Sequence, residues 1–197
     1  MHNILVHDEH GHDSDGADVF GFWLYIMTDC VLFGTLFVAF LSLTYPLMAG
    51  PSLKDYIDLS QVLAETFFLL TSNLTFFIAI LYLNKNKIFS AQLWLAITFL
   101  LGVGFVYLEI HEFVHMAHEG FRWNVSGHIS AFFTLVGTHG LHVSFGLLWI
   151  LTMIIQLPFI KTSQIRTRRM TYLGLFWNFL DIVWIFLFTI VYLTGAI

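Results

Sequence analysis

Long apolar stretches alternate with short polar ones along the chain after residue 18. About 20 consecutive apolar residues are enough to cross a bilayer as an α-helix. Five such stretches can be distinguished, each bounded by polar or turn-forming residues. They run approximately from Val19 to Tyr45, Val62 to Leu83, Ala91 to Val114, Ser130 to Leu157 and Tyr172 to Ala196. The pattern predicts an all-α membrane protein with five transmembrane helices.

The connections between the predicted helices are short, so helices adjacent in sequence should pack as antiparallel neighbours. We therefore predict one membrane bundle over residues 19–197. Residues 1–18 are polar, acidic and rich in histidine, and we expect a disordered cytoplasmic tail to which we assign no role. Composition agrees with this division, because 58% of the 197 residues are hydrophobic and only 11% are charged.

The basic residues are distributed unevenly between the two sides of the predicted bundle. The second and fourth connections contain Lys85, Lys87, Lys161, Arg166, Arg168 and Arg169. The other side has only Lys54 and Arg122. Because loops rich in Lys and Arg stay in the cytoplasm, we predict a cytoplasmic N-terminus and a C-terminus on the outer, periplasmic side.

A few ionisable side chains interrupt the apolar stretches, where they are costly and usually kept for a partner or a function. They are Asp29, Glu65, Glu109, Glu112, His139, His142 and Asp181. A helical rise of about 1.5 Å per residue brings the two aspartates and the two histidines toward the bilayer midplane. The same count puts the three glutamates toward the outer surface. We expect the aspartates and histidines to hydrogen-bond in the bundle interior, and the glutamates either to hydrogen-bond between helices or to lie as charges at the membrane interface.

Residues 111–115 read HEFVH, which matches the H-E-x-x-H pattern of zinc metalloproteases. On a helix, His111 and His115 share one face and could bind zinc, with Glu112 as general base. A nearby third histidine, His118, lies about 10 Å from His111 along the axis and cannot easily join the same ion. A third ligand such as Asp181 is expected in the cytoplasmic half of the membrane, whereas HEFVH is expected near the outer end, so the two should not meet. An intramembrane zinc protease therefore stays as the alternative from another functional class.

The pair His139 and His142 raises a second possibility, that of haem ligation. Haem in a helical bundle commonly takes its axial ligands from facing helices, whereas these two residues lie three apart on one helix. We therefore favour a structural role for the pair. Gly137, Gly140 and Gly146 in the same stretch permit close contact with a neighbouring helix.

Several segments together resemble one family of membrane proteins. The segments read GFWLYIMTDCVLFG, ETFFLLTSNLTF, YLEIHEF, GTHGLHVSFGLLW and FWNFLDIVWIFLFTIVYL, in this order. They are similar to subunit III of the haem-copper terminal oxidases, in the form with five helices. The resemblance covers nearly the whole chain from Val19 onward and is strongest to the cytochrome o-type ubiquinol oxidases.

The resemblance implies a subunit without redox centres in a bacterial inner membrane. In this family the haems and copper belong to subunit I, which reduces oxygen to water and pumps protons. Subunit III packs against subunit I in a complex that also contains subunits II and IV. It holds phospholipid, supports assembly and sustains proton uptake. The resemblance leaves open whether the electron donor is quinol or cytochrome c, and it implies no nucleic-acid partner.

The resemblance also implies roles for single residues. Asp29 matches the family's buried helix carboxylate, whose suggested role is near proton entry. His139 and His142 match an H-G-x-H pair, and Asp181 matches an aromatic-x-x-x-Asp segment. Glu65, Glu109 and Glu112 match helix carboxylates of the family. The chain departs from the family at Asn178, where histidine is common, and an amide cannot carry a titrating proton. No catalytic, cofactor-binding or metal-binding residue is expected in this chain.

Overall fold

The computed structural model describes residues 9–44, 59–118, 127–160 and 162–193. Within these ranges the chain forms five long α-helices and no strand. The helices are α1 (Glu9–Thr44), α2 (Leu59–Asn84), α3 (Ile88–His118), α4 (Gly127–Gln156) and α5 (Ser163–Leu187), and α5 continues as a π-helical segment over Phe188–Leu193. All five are long and apolar enough to cross a membrane. The predicted all-α, five-helix fold class is confirmed.

The helices are longer than the apolar stretches that predicted them. α1 begins at Glu9 rather than Val19, so residues 9–18 of the expected disordered tail are helical. α5 begins at Ser163, nine residues before the predicted start at Tyr172. Both extensions are polar, and a helix can continue past the hydrocarbon because its backbone hydrogen bonds are internal. Residues 1–8 and the predicted end of the last helix at Ala196 lie outside the described residues.

The chain divides into two compact units, and each is considered by itself. The first unit ends at Thr35 and includes most of α1. Its threonines satisfy their hydroxyl groups within the helix, since Thr28 donates to the carbonyl oxygen of Tyr25 and Thr35 donates to that of Leu32, both at 2.7 Å. Such local bonds remove the cost of placing a hydroxyl in an apolar environment.

The second unit, residues 36–197, contains a closed arrangement of four helices. α2 packs against α3 and α5, and α4 packs against the same two helices. The tight turn between α2 and α3 brings these two together. Asn86 adopts φ 55° in this turn, and the backbone N–H of Lys87 donates to the carbonyl oxygen of Tyr82 at 3.0 Å. Asparagine tolerates this left-handed conformation better than most residues, so the turn can be short.

The centre of this arrangement is occupied by the indole of Trp177, which is fully buried. Its Nε1 donates to the hydroxyl of Ser72 on α2 at 3.1 Å. Its ring also lies against Gly102 on α3 and Gly146 on α4. Trp177 thus joins all four helices, and the two glycines leave the space that its ring fills.

Many large apolar side chains point away from this core. Phe67, Phe89, Leu141, Phe145 and Phe159 each expose about 70% or more of their surface. In water such a surface would be unfavourable, but hydrocarbon or an apolar partner can cover it. The outward faces therefore agree with a membrane location.

The close contact at Gly146 generates a prediction. A Cβ atom added there would lie 2.9 Å from Cζ3 of Trp177, whereas one added at Gly137 would meet Cε2 of Phe113 at 3.7 Å. We expect Gly146→Ala to lower the free energy of unfolding by about 1 to 3 kcal/mol through overpacking. Gly137→Ala, the matched control on the same helix, should be neutral or slightly stabilising. Thermal unfolding of the detergent-solubilised protein measures both, and equal behaviour of the two variants would contradict the central role of Trp177.

Candidate functional site

Three buried acids from two helices lie close together in the second unit. Glu65 on α2 is 0% exposed, and Glu109 and Glu112 on α3 are 3% and 6% exposed. The spacing of three residues puts the two α3 acids on one face. Each of them interacts electrostatically with Glu65. We call Glu65, Glu109 and Glu112 the carboxyl cluster.

The end of α5 supplies a hydroxyl to the carboxyl cluster. Tyr192 is fully buried, and its hydroxyl donates to Oε2 of Glu112 at 2.9 Å. Tyr192 lies in the π-helical segment, whose wider turn changes which side chains face the bundle interior. This bond joins α5 to α3 within the apolar interior, where a hydrogen bond replaces contact with water.

α4 closes the carboxyl cluster on another side. The carboxyl group of Glu109 lies against Gly140, where a Cβ atom would be only 2.6 Å from Oε1. Any larger residue at position 140 would collide with the Glu109 carboxyl group. This steric constraint explains the glycine within the sequence H-G-L-H. The backbone of α4 therefore packs directly on the cluster.

His139, next to Gly140, links α4 to α5. It is fully buried, and its Nε2 donates to the carbonyl oxygen of Leu180 at 3.3 Å. Its ring lies 5.7 Å from that of Phe105 and 5.2 Å from that of Trp184. The imidazole thus fills a position between aromatic rings beside the carboxyl cluster.

His142 is used differently from His139. It is half-buried, and its Nδ1 donates to the carbonyl oxygen of Thr138 on the same helix at 2.7 Å. His139 therefore bonds to another helix, whereas this bond of His142 lies within α4. Each ring bonds a different backbone carbonyl.

The two aspartates lie in separate parts of the chain. Asp181 on α5 is 4% exposed and lies beside the side-chain amide of Asn73 on α2. Asp29 belongs to the first unit, is 8% exposed, and interacts with Tyr25 one helical turn earlier. Asn178 is exposed on the outside of α5.

The residues of HEFVH lie on different faces of α3. Glu112 points inward to Tyr192, whereas His111 and His115 are exposed. A zinc protease needs the two histidines and the glutamate around one ion. Across the four described ranges, no group of three His, Cys, Asp or Glu side chains lies close enough to hold a metal ion.

A second set of polar contacts between helices was not predicted from the sequence. The hydroxyls of Thr75 and Thr98 hydrogen-bond to each other at 2.8 Å between α2 and α3. Trp184 Nε1 donates to the hydroxyl of Thr66 at 3.0 Å, as Trp177 does to Ser72. A tryptophan in a transmembrane stretch signals that its N–H needs an acceptor, but it does not identify which hydroxyl on another helix supplies it.

The bond between Tyr192 and Glu112 can be tested by removing one hydroxyl. We expect Tyr192→Phe to destabilise the protein by about 1 kcal/mol, because Glu112 loses the hydrogen bond from this hydroxyl in an apolar interior. Tyr107→Phe, at an exposed position of α3, should have no measurable effect. Thermal unfolding in detergent measures both variants. Wild-type stability of Tyr192→Phe would show that the bond contributes nothing.

Comparison with known proteins identifies the family. Residues 6–196 match the family described as cytochrome c oxidase subunit III. The chain is 50% identical to cytochrome bo(3) ubiquinol oxidase subunit 3 of Pseudomonas aeruginosa, over 100% of this chain and 94% of the relative. It is 48% identical to the protein of the same name from Pseudomonas putida, over 94% of this chain and 90% of the relative. Cytochrome c oxidase subunit 3 of Bacillus sp. (strain PS3) is 44% identical, over 90% of this chain and 86% of the relative. The chain therefore belongs to the cytochrome c oxidase subunit III family of the haem-copper oxidases and is a multi-pass protein of the bacterial inner membrane.

Proposed function

We propose that the chain is the non-redox subunit III of a respiratory ubiquinol oxidase of the cytochrome o type. The observation that carries this proposal is the 50% identity, over the whole chain, to a protein named as such a subunit. The similarity to a cytochrome c oxidase subunit is lower and covers less of the chain. A cytochrome c oxidase is therefore the less favoured alternative.

The oxidase reaction itself belongs to the partner subunits in this proposal. Subunit I holds the haems and copper and reduces oxygen to water, another chain of the complex binds the electron donor, and subunits II and IV complete the complex. The chain described here packs against subunit I, binds phospholipid and supports proton uptake. The residues around the carboxyl cluster support a packing role, because each described acid there contacts another helix.

The orientation in the membrane is part of the same proposal. The N-terminus and the two basic connections face the cytoplasm, and the carboxyl cluster lies in the outer half of the bilayer. The excess of basic residues in those connections supports this orientation. Protons taken up from the cytoplasm then approach the side on which α1 begins.

Asp29 is the residue to which we assign a proton-related role. It is a nearly buried acid inside an apolar helix, and such groups are retained for a pathway, a partner or a fold. We assign structural roles to the other six polar residues predicted from the sequence. The contacts of His139 with Leu180 and of Glu112 with Tyr192 support that assignment.

The donor can be tested with the complex purified through an affinity tag on this chain. A short-chain ubiquinol should support rapid oxygen consumption, whereas reduced cytochrome c should support almost none. A haem-containing complex that prefers cytochrome c would contradict the quinol assignment but not the family. A chain recovered without any haem-containing partner would contradict the oxidase assignment altogether.

The role of Asp29 can be tested by comparing initial rate with active lifetime. We expect Asp29→Ala to retain an initial oxygen-consumption rate near wild type but to lose activity after several-fold fewer turnovers. Cys30→Ala changes the adjacent, exposed residue and serves as the matched control. Asp29→Glu, which keeps the carboxyl group, should retain most of the lifetime. If Asp29→Ala has both the wild-type rate and the wild-type lifetime, the proposed role is wrong.

A further inference from the structure

Three histidines lie in the last turns of α3 and are exposed. They are His111, His115 and His118, and the last two belong to the final turn of the helix. Tyr107, one turn before His111, is 67% exposed. A tyrosine at the edge of an apolar stretch is typical of the membrane–water interface, where the ring contacts lipid and the hydroxyl contacts water. The histidines follow Tyr107 toward the helix end, so solutes outside the hydrocarbon can reach them.

The spacing of His111 and His115 is suited to binding one metal ion. Side chains four residues apart lie on the same helix face, with Cβ atoms about 5 to 6 Å apart. Two imidazoles at this spacing can direct ring nitrogens to one ion, as the histidines of the H-E-x-x-H pattern do. His118 lies about 10 Å from His111 along the axis and cannot bind the same ion together with it. The geometry therefore offers a site with two protein ligands.

The position at the end of α3 also favours a cation. The last carbonyl groups of a helix have no partner within the helix, and they give its C-terminal end a partial negative charge. The sequence contains no Lys or Arg between Lys87 and Arg122, an interval that includes the whole of α3. No basic side chain of α3 other than histidine therefore repels an ion at this end.

We propose that His111 and His115 bind one divalent transition-metal ion, Cu²⁺ or Zn²⁺, at the C-terminal end of α3. Imidazole nitrogen suits both ions. Water completes the coordination, because among the residues that the structure describes no group of three His, Cys, Asp or Glu could hold a metal ion. Glu112 faces the interior, where it accepts a hydrogen bond from Tyr192. The site therefore binds a metal ion without the general base that a zinc protease needs.

An ion at this site should exchange readily with the solvent. Structural zinc sites use four protein ligands and catalytic zinc sites use three, whereas this exposed site offers two. A chelator should therefore remove the ion during purification, and the chain then holds no metal tightly. While the ion is bound, it joins two successive turns of α3. Because it binds only the folded helix end in this way, it stabilises that end by mass action.

Copper binding to the whole chain in nanodiscs tests the proposal. The parent chain for this experiment has glutamine in place of His2, His7, His10 and His12, because histidines of the N-terminal segment would also bind copper. It is purified through a tag without histidine, treated with a chelator and titrated with Cu²⁺. Pulsed electron paramagnetic resonance then counts the imidazoles on the bound copper. We expect one Cu²⁺ per chain with two imidazole ligands.

Single substitutions in this parent chain identify the two ligands. His111→Gln and His115→Gln should each weaken Cu²⁺ binding by at least about tenfold, because the loss of even an outer-shell partner of a metal site has an effect of this size. Copper bound to His115→Gln should retain one imidazole. His118→Gln changes an exposed histidine at the same helix end and is the matched control. It should retain both the affinity of the parent chain and the two imidazoles.

Three results would overturn the proposal. They are a single imidazole on the copper of the parent chain, parental affinity in His115→Gln, and a loss in His118→Gln as large as that in His111→Gln. If a variant does not fold, the imidazole count of the parent chain decides. The proposal concerns this chain alone, so none of these results changes the oxidase assignment, which is tested with the purified complex.

Discussion

Glu65, Glu109 and Glu112 lie where water cannot hydrate them, and the packing of α2–α5 follows from that constraint. An unsatisfied polar group in hydrocarbon costs several kcal/mol, so each hydrogen bond from the protein to one of these carboxyl groups is stabilising. Tyr192 supplies a hydroxyl from the end of α5. Gly140 lets the α4 backbone approach the Glu109 carboxyl. The bond from Tyr192 and the close approach at Gly140 therefore help to define which helix faces meet, which apolar packing alone would specify less strongly in a lipid environment.

The indole of Trp177 fixes the same four helices further along the bundle. It fills the space left by Gly102 and Gly146 and bonds to Ser72. The hydrogen bond from Tyr192 to the carboxyl cluster and the close packing around Trp177 are thus two separate features of one interior. In our proposal, this rigid bundle gives partner subunits and lipids a fixed surface. Its apolar side chains are exposed in the isolated chain and become covered in the complex.

The features of the fold that depend on the length of the apolar runs were predictable from the sequence. Apolar runs predicted five helices, because each must cross the same hydrocarbon thickness. They did not predict that α1 starts at Glu9 or that α5 starts at Ser163, since polar helical turns have no hydrophobic signal. The depth of each residue along its helix, counted from the helical rise, was enough to predict that Glu65, Glu109 and Glu112 lie at a similar level of the bundle.

Side-chain partners were harder to predict than depth. A π-helical segment puts Tyr192 opposite Glu112, and nothing in the local sequence distinguishes that segment from the α-helix before it. His139 and His142 were expected to hydrogen-bond in the bundle interior, and the sequence did not predict that their rings would donate to the backbone carbonyls of Leu180 and Thr138. Backbone acceptors are present at every position, so residue type does not reveal which one a histidine will choose. The helical period shows that His111 and Glu112 must lie on different faces of α3. Which of the two faces inward becomes clear only when the neighbours of α3 are known, and the structure buries Glu112 and exposes His111.

The central claim is that this chain supports an oxidase without carrying its redox centres. The most direct measurement separates the chain from the purified complex with a stronger detergent and determines haem, copper and zinc in both fractions. The account predicts that haem and copper remain with the larger partners and that the separated chain contains no stoichiometric metal. A separated chain that retains one haem or one zinc per molecule would contradict it.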